Sequence, residues 1–121
     1  MSRPILDENR IHPAIRDKVA GQHADIVKEV MDAVAAHAVV IVGMRQNPQP
    51  KHARKILDIH EIAYQYLEYG SYLSQWRRRA ALKMWTGWQT FPMVFVKGTF
   101  IGGASDLARL HASGELAKML A

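Results

Sequence analysis

Six consecutive residues, Ala38 to Gly43 (AVVIVG), constrain the fold more than any other stretch of the chain. The run is β-branched, lacks polar alternation and ends in glycine, so it reads as a strand that must be covered on both faces. That pattern belongs to a parallel sheet with helices above and below it. It falls far short of the roughly 20 apolar residues that a membrane span requires, and no other run comes closer.

The flanking segments supply the covering layers. Ile26, Val27, Val30, Met31 and Val34 recur at helical spacing between Gln22 and His37. After the strand, GMRQNPQP leads into a helix that runs to about His60, with Ala53, Ile56 and Leu57 on one face. IAYQYLEY (62–69) alternates and is rich in tyrosine, which predicts a second strand. Leu73, Trp76, Ala80 and Met84 mark a third helix, with Arg77, Arg78 and Arg79 expected on its solvated side. FPMVFVKGTFIGG reads as a hairpin turning at Lys97-Gly98. ASDLARLHASGELAKMLA is helical, with Ser105 as a candidate cap. A β-α-β unit followed by a hairpin predicts an α/β domain over 22–121, built on a four-stranded mixed sheet with helices on both faces. Residues 1–21 form an N-terminal extension, helical after Pro13. Ligand sites are expected at the carboxyl ends of the parallel strands, which puts GMRQNPQP at the favoured place.

Composition narrows the chemistry. The chain has 121 residues, enough for one core, and no cysteine. Disulfides, thiolate metal sites and cysteine nucleophiles are therefore excluded. The charged N-terminus has no apolar signal core, which predicts a chain that is not exported and resides in the cytoplasm. Net charge is +5, with basic residues dispersed apart from WRRRAALK. This favours anionic ligands and acidic surfaces. No basic run with interleaved aromatics supports a nucleic-acid partner, and no membrane association is predicted. The six histidines show no metal-ligand spacing.

Three segments in order, WQTFPMVFVKG (88–98), IGGASDLARLHASGEL (101–116) and LKMW (82–85), resemble those of glutaredoxins. The similarity is nearest to the single-cysteine Cys-Gly-Phe-Ser type and covers about residues 22–121. It implies a thioredoxin-like fold. It also places Asn47-Pro48-Gln49-Pro50 on the active-site tetrad, with Asn47 replacing the nucleophilic cysteine and Pro50 the second cysteine or serine. Thiol–disulfide exchange needs a thiolate, so no catalytic residue remains and an enzyme of the usual type is not expected. A shared iron–sulfur cluster likewise needs a thiolate that this chain cannot give.

The resemblance leaves glutathione binding in place. It implies contacts from Arg45, Asn47, Gln49, Arg79, Phe91, Pro92, Gly103, Ser105 and Asp106. The Phe91-Pro92 bond would be cis, Arg45 and Arg79 would face the glycine carboxylate, and Gly103 and Ser105 would hold the γ-glutamyl end. Ser105 stands where the family has an aspartate, and Asp106 is the neighbouring acid. Against this stands a purely structural reading of NPQP: asparagine is a favoured helix cap and proline a favoured first helical residue. The leading expectation is a module for glutathione, a small anion or a protein partner, linked to cell redox homeostasis and without catalysis. The alternative is an interaction scaffold or homodimer that uses the N-terminal extension and the Trp76–Lys83 face, with no small-molecule ligand.

Overall fold

The computed structural model describes residues 2–121. After a short 3-10 turn at Glu8–Arg10, helix α1 spans Pro13–Gly21 and α2 spans Ala24–Ala36. Strand β1 (Val39–Gly43) leads to α3 (Pro48–Ile59), β2 (Gln65–Glu68) and α4 (Trp76–Thr86). The hairpin β3 (Met93–Val96) and β4 (Thr99–Gly102) follows, then α5 (Ala104–Ala112) and α6 (Glu115–Leu120). The sheet order is β2-β1-β3-β4. β1 runs parallel to β2 and antiparallel to β3, and β3 pairs antiparallel with β4. This is the thioredoxin-like, four-stranded mixed sheet expected from the sequence.

β1 sits second in the sheet and all five of its residues are buried. Its side chains alternate between two cores. Val40 and Val42 join Ile26, Val30, Leu82 and Phe95 beneath α2 and α4. Val39 and Ile41 join Ala53, Leu57, Leu107 and Leu116 beneath α3, α5 and α6. The hairpin turns through Lys97 and Gly98, both with positive φ (51° and 81°), as a two-residue turn matched to strand twist requires.

Two details depart from the sequence reading. The cap of α5 is Gly103, not Ser105: the Asp106 carboxylate accepts the Gly103 N–H at 2.9 Å, and Ser105 is an exposed second residue of the helix. α4 also turns a different face inward. Arg79, Ala81 and Leu82 are buried, whereas Leu73, Trp76 and Met84 are exposed. The alkyl residues of that helix are few, and Ala81 and Leu82, adjacent in sequence, pack under it where α2 crosses.

Candidate functional site

The site begins where β1 ends. Gly43 has no side chain, and a Cβ there would lie 2.8 Å from Pro50 Cβ and 2.9 Å from Tyr66 Oη. Its absence lets the first turn of α3 settle directly on the sheet. Asn47 caps that turn, with Oδ1 accepting the Gln49 N–H at 3.0 Å. The sequence anticipated this cap. It did not show that the same side chain reaches across the sheet, where Nδ2 donates to the Phe91 carbonyl at 3.0 Å. A carboxamide offers an acceptor and a donor at once, so one residue pins α3 to the loop ahead of β3. The Phe91-Pro92 bond of that loop is cis. The Phe91 ring is buried in the core, so the residue offers only its backbone to this region.

Around this junction lies a cleft of about 470 Å³. Asn47 and Gln49 form one wall, Thr90, Phe91 and Pro92 the floor, and Gly103 to Asp106 the far wall, with Trp88 at the edge. Seven of the nine residues implicated by sequence meet here: Asn47, Gln49, Phe91, Pro92, Gly103, Ser105 and Asp106. Trp88, the first residue of the WQTFPMVFVKG segment, completes the lining with an edge-on contact to Phe100 at 5.4 Å between centroids. Its indole nitrogen is buried and finds no hydrogen-bond acceptor among the described residues. Thr90 and Ala104 were missed. The only signal for them is their position beside Phe91 and Gly103.

The two arginines do not join the lining. Arg45 is exposed on the loop after β1, and its backbone N–H donates to the Gly70 carbonyl at 2.7 Å. Arg79 is neither a cleft residue nor part of a solvated face. It is 6% exposed, and one guanidinium nitrogen donates to the carbonyls of Tyr69 (2.9 Å) and Ser74 (2.6 Å). The chain leaving β2 turns these carbonyls inward without strand partners, and the arginine satisfies both. Burial lowers its pKa from the usual arginine value.

The electrostatics of the cleft are correspondingly mild. Asp106 is the one charged residue in the lining, and both its oxygens are engaged, one by the Gly103 N–H and one by Arg109. At the start of α5, the N–H groups of the first turn have no acceptor within the helix, which favours an anion there. Among the described residues that line the cleft, Thr90 and Ser105 bring hydroxyls, Asp106 brings a carboxylate already held by Gly103 and Arg109, and none is a histidine or a lysine. The donor set does not fit an iron–sulfur cluster, because the chain has no cysteine sulfur to offer.

Residues 39–101 match the family model described as Glutaredoxin. The chain is 40% identical over 102 residues to a glutaredoxin-like protein of Dictyostelium discoideum, covering 84% of this chain and 83% of that one. It is 37% identical over 68 residues to monothiol glutaredoxin-5, mitochondrial, of Schizosaccharomyces pombe, covering 56% of this chain and 47% of that protein. Among solved structures, the buckwheat glutaredoxin–glutathione complex superposes with a TM-score of 0.71 at 28% identity, over 83% of this chain and 91% of the other.

Proposed function

This chain belongs to the glutaredoxin family, and we propose that it acts there as a binding module without thiol catalysis. Its ligand is glutathione or a small peptide carboxylate of similar shape, held in the cytoplasm between the starts of α3 and α5. The observation that carries this reading is the convergence of Asn47, Gln49, Phe91, Pro92, Gly103, Ser105 and Asp106 on one cleft beside a cis proline. The buckwheat relative, solved with glutathione, supports the choice of ligand.

The binding is weak by construction. Arg45 and Arg79 stand off the cleft, and Asp106 is engaged by its own helix and by Arg109. Each missing charge-assisted contact costs about 1.5–3 kcal/mol, or roughly ten- to a hundredfold in affinity. Asn47 also holds the Phe91 carbonyl, so a peptide ligand pairs with what that loop has left. Calorimetric titration with reduced glutathione tests the proposal. Millimolar binding with NMR shifts at Gln49, Phe91 and Gly103 is expected. No heat and no shift at those residues up to tens of millimolar removes the ligand assignment.

A further inference from the structure

We infer that the outward face of α4 is a docking groove for an acidic amphipathic helix of a partner protein. At about 100° per residue, the exposed arc of α4 runs Lys83, Trp76, Ala80, Met84, Arg77. Three apolar residues therefore form a stripe with a cation on each flank. Trp76 is 59% exposed and Met84 66%, while the small Ala80 between them is half-buried and leaves a notch. The Arg77 guanidinium lies over the Trp76 ring at 5.0 Å, a cation–π contact beside the notch. Leu73, in the turn leading into the helix, is 92% exposed. Beside the stripe, Gln22 and His23 close a hollow of about 360 Å³ against Arg77, Ala80 and Met84. None of these residues lines the cleft between α3 and α5.

Charge selects the occupant. From Tyr72 to Gly87 the chain carries four basic residues and no acidic one. Of these, Arg79 is buried and Arg78 pairs with Asp25, which leaves Arg77 and Lys83 on the rim. A second copy of this chain in a two-fold contact would set this basic face against itself. A lipid surface has no ridge to enter the notch at Ala80. A helix with an apolar ridge flanked by Asp or Glu fills the notch and meets both cations, which is the helix-in-groove mode of recognition.

The test is panning of a phage-displayed library of random 16-residue peptides on the full chain, followed by NMR mapping of enriched peptides. Enrichment of apolar residues spaced three and four apart with flanking Asp or Glu is expected. Shifts should centre on Trp76, Ala80 and Met84, and the Arg77→Glu/Lys83→Glu variant should bind about tenfold more weakly. Both substitutions lie on the exposed helix surface, and an unchanged circular dichroism melt verifies the fold. Enrichment of basic or uncharged peptides, shifts centred on Asn47 and Gly103, or undiminished binding by the double variant would overturn the inference. So would binding of phosphatidylglycerol vesicles without selection of any peptide, or sedimentation of the chain alone as a dimer that Trp76→Ser dissolves.

Discussion

The start of α3 and the face of α4 carry equally conspicuous sequence patterns, yet only the first means what it suggests. At α3, NPQP predicts a cap and a helix start, and the structure supplies both. At α4, Trp76, Ala80 and Met84 predict a buried stripe beneath a basic exterior, and the structure exposes Trp76 and Met84, leaves Ala80 half-buried and buries Arg79 with Leu82. The difference is one of range. A cap is settled within three residues by the hydrogen-bonding capacity of one side chain. Which face of a helix is buried is settled by α2 and the sheet, far away in the chain.

Substitutions on α4 test this contrast with the largest expected effects. Leu82→Ala removes a fully buried side chain and should cost about 2–5 kcal/mol. Met84→Ala, two residues on, should stay within about 0.5 kcal/mol. Urea melts of the pair decide it, and equal costs would restore the sequence-based face. Arg79→Met leaves the Tyr69 and Ser74 carbonyls without their donor and should cost about 2–3 kcal/mol. Its glutathione titration should match that of the parent at temperatures where both are folded. A selective loss of binding would return Arg79 to the ligand.

At the cleft the expected effects are smaller. Gly43→Ala drives a Cβ into Pro50 and Tyr66, at about 1–3 kcal/mol. Because it displaces the start of α3, it should weaken ligand binding beyond the stability loss, measured well below the melt.

The smallest effect concerns the tyrosines that flank the two regions. Burial, aided by its bond to Glu68 at 3.0 Å, pushes the Tyr66 hydroxyl up to about 12. Burial and a 2.6 Å bond to Glu29 raise Tyr69 as well. The unfolded chain releases these protons near pH 10, earlier than the fold does. Stability is therefore full below pH 10 and declines as pH rises from about 10 toward 12. Tyr66→Phe should flatten part of that decline in pH-dependent denaturation.

Most of the fold was legible because its signals are local. AVVIVG reads as a doubly covered strand and forms one, and Lys97-Gly98 adopts the two positive φ values that the hairpin needs. The cleft was legible in its backbone-shaping residues: the asparagine cap, Pro92 and Gly103. Of the charges expected there, Asp106 lines the cleft, whereas Arg45 and Arg79 do not. Arg79 went astray because no local rule announces that the carbonyls of Tyr69 and Ser74 need a donor. Ser105 lines the cleft but does not cap α5, because Gly103 is the cap and the Asp106 carboxylate takes its N–H. The bridge from Asn47 to Phe91 spans 44 residues and follows only from the assembled sheet.

The central claim is that this cleft keeps a ligand edge while lacking the sulfur that would make it reactive. Asn47→Cys tests it most directly in the glutathione-coupled reduction of hydroxyethyl disulfide. A cysteine there sits at the N-terminus of α3, where the helix favours its thiolate. The parent chain should run at the blank rate and the variant well above it. Turnover by the parent, or a folded variant that stays at the blank, would contradict the claim.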